Sequence, residues 1–362
     1  MATNLNIASQ QWATRPEDQR FLSLEELHQA VSTRKEQSWT ATPRMNELRA
    51  VVNEDGLGVQ VYDRTTDQDR ILQPTNWGFG QLASYAKAPA GYLRSLPDEL
   101  AAINLQWGFE NNPVRENGLI LAQSNGENHL RAVTSQSYGR IWDKKVVEAV
   151  QKVNVNGNWQ IPAASYATTN PRRATTLYAS DRDVFIFLVD PGHEIHVGNE
   201  TLFRGFIVYN SEVGSATFGL MTFLYRYVCD NRIIWGATDV KELKIRHTGG
   251  APERFAYEGQ RYLNRYANES TNKIIEGVVK AQETDVPLKQ DETIQDWLRD
   301  RFKFTKEQAQ GSVDAAQAEE GSTRKVWDIV NGITAYARKI QHTDARVELE
   351  QKAGQLMGMV TK

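Results

Sequence analysis

The sequence predicts an α+β protein with an antiparallel β-sheet core, flanking helices and a helical C-terminal region. Short β-prone runs separated by turn residues recur between residues 46 and 250. Helical spacing of apolar residues dominates from residue 251 onward, and a capping pattern begins a helix near residue 23. We therefore divide the chain into an N-terminal arm and helix (1–45), an α+β core domain (46–250) and a helical C-terminal region (251–362).

The N-terminal part is predicted to hold one helix. Residues 1–20 are polar and contain Pro16, which is typical of an extended arm. Ser23 and Glu26 have the spacing of a capping box, in which each side chain bonds the other residue's backbone N–H. Apolar residues then recur at helical positions. The pattern predicts a helix over residues 23–37.

The next segment combines strands with short helices. Prolines interrupt residues 77–109, and Pro97 suits the first turn of a new helix, so we expect several short helices there. Before them, three β-prone runs separated by turn residues predict an antiparallel meander: 48–52, 59–62 and 70–72.

A hairpin, a helix and a second group of strands are predicted after residue 118. Residues 119–122 and 130–134 flank a glycine turn, which is typical of a hairpin. Asp143 is expected to cap a helix over residues 144–153, whose apolar positions suit a buried face. Three strands follow, with a Pro-Gly turn at 190–192 between the last two: 177–179, 184–189 and 202–209.

The last third of the chain is predicted to be mainly helical. Residues 217–235 are apolar and aromatic throughout, so periodicity allows a buried strand pair or a helix, and we favour strands. Residues 311–321 have the composition of a linker or loop. The expected helices cover 253–282, 294–308, 323–342 and 344–359.

Composition excludes several classes of protein. Of 362 residues, 42 are Lys or Arg and 45 are Asp or Glu, and the net charge of −3 argues against a histone-like or polybasic protein. Cys229 is the single cysteine, so no intrachain disulfide can form. The longest apolar run, 184–189, is far shorter than the roughly 20 residues of a membrane span. Without a secretory signal pattern, we expect a cytoplasmic protein that does not enter the membrane.

The sequence favours a protein that is not an enzyme, because it lacks familiar catalytic motifs. Phosphate-binding glycine loops and hydrolase nucleophile motifs do not occur in the sequence. His193 and His196 are spaced three apart, whereas the zincin motif needs a spacing of four, and no histidine lies near Cys229 in sequence. Asp181 and Asp183 are typical of a solvated turn. We therefore predict no catalytic residue, no metal and no cofactor.

Basic residues interleaved with aromatic residues are the most suggestive pattern. Residues 129–250 form the basic part of the chain. Cations that follow phosphates and rings on which bases stack are what single-stranded DNA binding requires. The alternative is that many of these rings belong to the core. The predicted contact residues are Arg131, Tyr138, Arg140, Lys144, Lys145, Arg172, Arg173, Arg226, Arg232 and Trp235.

Two motifs carry a resemblance to a known family. Asn210-Ser211-Glu212-Val213-Gly214 is followed by residues 226–231, which read Arg-Tyr-Val-Cys-Asp-Asn. Together they resemble the phage and plasmid proteins grouped as domain of unknown function 932, whose shared pattern is Asn-Ser-Glu-x-Gly and then Arg-x-Val-Cys-x-Asn. Arg232 stands where the family usually has glycine. Further similar segments are 131–138, 246–248 and 327–336, so the resemblance spans about residues 75–345.

The resemblance implies an accessory protein of a phage, plasmid or prophage. No reaction is established for the family, but the occurrence of its members in phages and plasmids implies a role in DNA processing. A more distant similarity links such proteins to single-strand annealing recombinases, which act as oligomeric rings. For Asn210, Ser211 and Glu212 we favour a turn-shaping role over catalysis by Glu212, with Gly214 adopting a positive φ.

Three functional hypotheses follow. The leading one is a non-enzymatic accessory protein that binds or anneals single-stranded DNA as a homo-oligomer. The alternative is a protein-interaction module that acts on a host or phage protein through helices beyond residue 250. The third is a hydrolase with an unfamiliar site at His193 and His196, which would require a bound metal ion.

Overall fold

The computed structural model confirms an α+β fold that contains two mostly antiparallel sheets and a C-terminal group of helices. Most strands of both sheets lie in the region predicted as one core domain, and each sheet has its own apolar cluster. The predicted N-terminal part adds one strand to each sheet, at Arg20–Phe21 and Ser38–Ala41. The structure describes residues 15–64, 66–111, 116–161, 175–198, 200–226, 231–233, 243–268, 272–340 and 343–360.

The first sheet, here called the N-terminal sheet, has the strand order β2-β6-β7-β5-β4-β3. Its pairs are antiparallel except β5 with β7, which are parallel. The predicted meander and hairpin are confirmed in it, and Gly126 of the hairpin turn has a φ of 103°. The strands are β2 (Ser38–Ala41), β3 (Arg49–Asn53), β4 (Gly56–Asp63), β5 (Gln68–Pro74), β6 (Leu119–Ser124) and β7 (Asn128–Thr134).

Short helices cover one face of the N-terminal sheet, as the prolines predict. Their apolar residues and those of the sheet share one cluster, which includes Leu82, Leu105 and Phe109. The helices are α2 (Asn76–Tyr85), α3 (Ala90–Leu93) and α4 (Asp98–Asn111). One-turn 3-10 helices lie at Glu17–Gln19 and at Met45–Glu47, the second of them just before β3.

The second sheet, here called the central sheet, has the order β1-β8-β9-β10-β11-β12, and β13 also pairs with β11. The described part of 217–235 forms strands, as favoured. The strands are β1 (Arg20–Phe21), β8 (Leu177–Ala179), β9 (Val184–Val197), β10 (Glu200–Asn210), β11 (Phe218–Arg226), β12 (Asn231–Ile233) and β13 (Leu243–Ile245).

Two helices from distant parts of the chain pack together on one face of the central sheet. They are α1 (Leu24–Glu36) and α5 (Asp143–Val153), and α1 begins as predicted, because Ser23 accepts a hydrogen bond from the Glu26 N–H. Alternation along β9 places Ile186 and Leu188 on this face, whereas Phe185 and Phe187 join an aromatic-rich cluster on the opposite face.

The predicted turn at residues 190–192 is wrong, because the strand continues through it. Asp190 pairs with Arg204 and Ile195 pairs with Leu202, so residues 191–194 form a bulge opposite Phe203. Proline lacks the N–H that a regular ladder needs, and a bulge is one of the few strand positions that tolerate it. The hairpin instead turns at Gly198, whose φ is 61°.

The C-terminal region is helical, but its breaks differ from those predicted. The segment expected as one helix over 253–282 consists of α6 (Ala251–Arg254), a π-helical turn (Phe255–Gly259), α7 (Gln260–Asn268) and α8 (Asn272–Glu283). A further apolar core joins α8 and the later helices to the ends of β9 and β10. Those helices are α9 (Ile294–Phe302), α10 (Lys306–Glu320), α11 (Val326–Arg338) and α12 (Thr343–Val360).

The predicted loop at residues 311–321 is also wrong, because most of it is the second half of α10. Its small residues serve helix packing. A Cβ on Gly311 would lie 2.1 Å from the Tyr336 ring, and one on Gly332 would lie 2.4 Å from the Ser312 carbonyl oxygen. Small residues therefore allow α10 and α11 to approach closely, and Gly321 ends α10 in the left-handed conformation.

Candidate functional site

The turn after β10, residues 210–215, lies between the two sheets and is held by its own side chains. The Ser211 hydroxyl accepts hydrogen bonds from the N–H groups of Val213 (3.2 Å) and Ser215 (3.0 Å) and donates one to the Arg182 carbonyl oxygen (2.7 Å). Gly214 has a φ of 83°, as the turn-shaping interpretation expects. We call residues 210–215 the motif turn.

Glu212 of the motif turn connects the sheets through a buried ion pair. Its Oε2 accepts a hydrogen bond from Arg131 Nη2 of β7 at 2.8 Å, and its Oε1 accepts one from the Asp143 N–H of α5 at 2.9 Å. The two side chains of the ion pair are 2% and 1% exposed. Such a pair is stable only when its remaining polar atoms also find partners.

A second buried carboxylate, that of Asp143, lies beside the first. Asp143 Oδ1 accepts a hydrogen bond from Asn210 Nδ2 at 2.7 Å, and its Oδ2 accepts one from Arg34 Nη2 of α1 at 3.1 Å. Arg34 also donates to the Ser180 carbonyl oxygen. Asp143 is therefore not the expected N-cap, since α5 begins at Asp143 and Trp142 occupies the cap position. We call Arg34, Arg131, Asp143 and Glu212 the buried ion cluster.

The pKa values of the two carboxyl groups are shifted in opposite directions. Burial is the largest influence on both, but at Glu212 the charges of Arg131 and Arg34 outweigh it and lower the pKa. For Asp143, burial and then the charge of Glu212 raise the pKa well above its ordinary value. The cluster therefore holds Glu212 ionised, and Asp143 takes up a proton more readily. Burial also lowers the pKa of Arg131.

Three half-buried aromatic rings contact or flank the motif turn. Trp77 Nε1 donates to the Val213 carbonyl oxygen and the Tyr138 hydroxyl donates to the Ser211 carbonyl oxygen, both at 2.9 Å. Trp77 and Trp142 pack against the same small apolar cluster that contains Val213. We call Trp77, Tyr138 and Trp142 the aromatic rim.

Each ring of the aromatic rim has a cation over it. The Arg182 guanidinium carbon lies 4.8 Å from the Trp77 ring centroid, and that of Arg140 lies 5.6 Å from the centroids of both Tyr138 and Trp142. Lys35 Nζ lies 5.5 Å from the Trp142 centroid. Arg140 is buried, whereas Lys35 is half-buried and Arg182 is exposed, so accessible cations lie over Trp77 and Trp142.

A comparison with protein families matches residues 131–357 to the model of the Domain of unknown function (DUF932), which is more than half of the chain. The chain belongs to the DUF932 family. No curated protein matches it, and neither does any solved structure. The match confirms the resemblance seen in the sequence.

Two of the further segments that carry the DUF932 resemblance, 131–138 and 246–248, lie beside the motif turn in space. Arg131 and Tyr138 bond it directly, and the His247 ring stacks on Tyr138 with centroids 4.9 Å apart and planes 20° apart. His247 Nδ1 also bonds the Gly139 carbonyl oxygen at 3.0 Å. Residues from β7, the motif turn and the segment after β13 therefore form one site.

Two of the predicted DNA contacts are buried inside this site. Arg131 belongs to the buried ion cluster, and Arg140 Nε donates to the Glu212 carbonyl oxygen at 2.9 Å. Burial lowers the pKa of Arg140 to about 10. Both guanidinium groups are used within the fold, so the expectation that they contact phosphates does not fit their positions. Their observed role is to hold the motif turn.

The other predicted contacts lie at the surface or outside the described residues. Tyr138 belongs to the aromatic rim. Lys144 and Lys145 begin α5 and pair with Glu36 (3.5 Å) and Glu148 (2.8 Å). The side chains of Arg226 and Arg232 lie outside the described part, although their backbones belong to the paired strands β11 and β12. Arg172, Arg173 and Trp235 also lie outside the described residues, as does Cys229.

The structure adds site residues that the sequence pattern missed. Arg34 and Asp143 complete the buried ion cluster, and Lys35, Trp77 and Arg182 contribute to the aromatic rim or its cations. Arg34 and Lys35 end an ordinary amphipathic helix, so nothing in their local pattern marks them. The nearest signal is Arg131, a charged residue inside a strand whose neighbours from Leu130 to Thr134 are all buried.

The histidines considered for a metal site lie elsewhere, on β9. His193 Nδ1 lies 2.9 Å from Asp190 Oδ2, and His196 Nε2 lies 3.0 Å from Glu194 Oε2. Within the part of the chain that the structure describes, no three His, Cys, Asp or Glu side chains are grouped to hold a metal ion. Among the same residues, no helix has the length and apolar content needed to cross a membrane.

Proposed function

We propose that this protein binds single-stranded DNA across the aromatic rim. The supporting observation is the convergence of three half-buried rings on one turn of the chain, with the accessible cations Arg182 and Lys35 over Trp77 and Trp142. Bases of any sequence can stack on aromatic or guanidinium surfaces, and nearby cations attract the phosphates. The sequence pattern of alternating basic and aromatic residues is consistent with the same function.

The positions of the side chains change the proposed set of contacts. Arg131 and Arg140 become positioning residues that hold the motif turn. The proposed phosphate contacts are Lys35, Lys144, Lys145 and Arg182. The proposed stacking surfaces are Trp77 and Trp142, because the Tyr138 ring already stacks on His247 and has the buried Arg140 over it. The pairs of Lys144 and Lys145 with glutamates are surface ion pairs, which are weak enough for a phosphate to displace.

Fluorescence anisotropy with labelled single-stranded and double-stranded oligonucleotides, measured over a salt series, tests the proposal. We expect tighter binding to the single strand and an affinity that falls steeply with salt. The Lys144→Glu/Lys145→Glu variant should weaken binding and lower the slope of log affinity against log salt. The magnitude of this slope should decrease by about 0.7 for each phosphate contact that is removed.

Matched variants separate a local effect from a general change of charge or fold. Lys306→Glu is the charge control, because Lys306 is exposed on α10, where an acidic residue suits the helix N-terminus. Trp77→Phe keeps a ring, whereas Trp77→Leu removes it and should weaken binding by about 1–3 kcal/mol per stacked base. Absence of binding at low salt, or equal losses in the Lys306 variant, would refute the proposal.

The alternative function is interaction with a protein partner. The surface that best fits it is not on the helices beyond residue 250, where the sequence predicted it. The helices beyond residue 250 bury their apolar faces in two cores: α6 and α7 pack against the central sheet, and the later helices pack with one another. Among their described residues, Tyr257 and Leu288 are the large apolar side chains with high exposure, and they lie on separate segments. A continuous exposed apolar stripe occurs instead on α4 of the N-terminal sheet.

A further inference from the structure

Helix α4 carries apolar residues on two opposite faces. Its inner face packs Leu105 and Phe109 into the core of the N-terminal sheet. Leu100, Ile103 and Trp107 lie on the outer face, and their exposed fractions are 48%, 63% and 62%. Positions i, i+3 and i+7 lie on one side of a helix, so the three side chains form a single stripe. We call it the outer stripe.

An exposed apolar stripe of this kind indicates a binding surface. Single exposed apolar residues are common, whereas a contiguous row that contains tryptophan resembles the anchor residues at the centre of protein interfaces. The inner face already supplies the contacts that hold α4 on the sheet. The outer stripe therefore adds little to the stability of the fold, and its apolar character calls for another explanation.

The borders of the outer stripe differ in charge. By helical geometry, Glu99 and Glu110 lie along one border, and Asn104 and Asn111 lie along the other. The α4 sequence contains three acidic residues and no basic one. Glu110 Oε1 accepts a hydrogen bond from Gln106 Nε2 at 2.7 Å and is approached by Arg49 at 3.9 Å, but its side chain is about half exposed and can bond further groups. The surface therefore suits a ligand that is apolar along its centre and basic along one border.

The neighbouring sheet edge is closed to an added strand. Strand β3 is the edge of the N-terminal sheet beside α4, and its Ala50 N–H donates to Gln106 Oε1 at 2.9 Å. Gln106 Nε2 also donates to the Leu48 carbonyl oxygen at 3.3 Å. A peptide strand would have to displace both bonds before it could pair with β3. The open surface is the helix itself.

We propose that the outer stripe binds an amphipathic helix of a partner protein, with apolar anchors that contact Trp107 and lysines or arginines that face Glu99 and Glu110. Helix-on-helix docking uses anchors at i, i+3 or i+4 and i+7, which match the spacing of the stripe. The proposal is independent of DNA binding, because the stripe and the aromatic rim share no residue.

The test uses a fluorescein-labelled amphipathic peptide of leucine, lysine and alanine, roughly 18 residues long so that it can form a helix. Its leucines follow the anchor spacing and its lysines lie along one border. We expect Trp107→Ala to weaken binding about 30-fold, the effect of losing an interface hot spot. Glu99→Lys/Glu110→Lys should weaken it about tenfold, and a peptide with glutamates in place of lysines should then bind that variant better than the wild type.

Tyr257→Ala is the matched control, because Tyr257 is another exposed aromatic residue on a helical segment. It should leave peptide affinity unchanged, and Trp107→Ala should leave both the thermal midpoint and the affinity for single-stranded DNA unchanged. Equal binding by Trp107→Ala and wild type would overturn the proposal. So would light scattering that shows a wild-type oligomer and a monomeric Trp107→Ala variant, because the stripe would then bind a second copy of this chain.

Discussion

Replacing Glu212 by glutamine should reveal how strongly the buried ion cluster holds the two sheets together. Glutamine can still accept a hydrogen bond from the Asp143 N–H through Oε1. Its amide nitrogen, however, would replace the oxygen that Arg131 Nη2 approaches at 2.8 Å, so two donors would face each other. The change also removes one of the two carboxylates that neutralise Arg34 and Arg131.

The expected loss follows from the burial of the pair. Breaking a buried ion pair by removing one partner costs about 3–5 kcal/mol, because the remaining charge is left without compensation. Native proteins are stable by only about 5–15 kcal/mol, so Glu212→Gln should remove a large part of the free energy of unfolding. A surface glutamate such as Glu258, which pairs with Arg254 in solvent, should show no measurable effect when replaced by glutamine.

Urea unfolding of the variants, followed by tryptophan fluorescence and circular dichroism, measures this loss. The Arg131→Met/Glu212→Gln double variant should be less destabilised than the sum of the two single variants, with a coupling free energy of about 1–3 kcal/mol. A loss below about 1 kcal/mol for Glu212→Gln, or additive single effects, would refute the view that this pair links the sheets.

Three other predictions concern packing and titration. Gly332→Ala should destabilise the protein by about 1–3 kcal/mol in urea unfolding, because the added Cβ would meet the Ser312 carbonyl oxygen of α10. Gly91→Ala, at an open position of α3, should instead stabilise it by up to about 1 kcal/mol. Burial lowers the pKa of His247 below the unfolded value of 6.5, so the unfolded chain binds a proton first and stability should fall as the pH drops below 6.5. His247→Gln should flatten this decrease between pH 7 and 5, measured as urea midpoints, and an unchanged pH dependence would contradict the assignment.

Local sequence signals predicted the elements that depend on local interactions. The meander, the hairpin and α1 are confirmed because their turns and caps lie within a few residues of the strands and helix that they define. The wrong predictions share one cause. Pro191 and Gly192 lie in a bulge, and Gly311 and Ser312 lie at a helix contact. Residues of types that usually mark turns therefore serve strand irregularity and helix packing at these positions.

The candidate site was only partly predictable, because its ion pairs join residues far apart in sequence. Arg131 and Glu212 are 81 positions apart, and Arg34 and Asp143 are 109 apart. A charged residue is usually expected at the surface, so the basic pattern suggested exposed contacts where the fold has buried Arg131 and Arg140. The motif turn itself was visible in the sequence, and its turn-shaping interpretation agrees with the bonds of Ser211.

The position of Arg131 determines where an expressed fragment of this chain should begin. The family match begins at Arg131, which lies inside β7, so a fragment that starts there would lose most of the N-terminal sheet. It would also lose Arg34, leaving Asp143 without that partner. The matched segment therefore omits strands and an ion-cluster residue that the fold uses, and an expressed fragment should begin before α1.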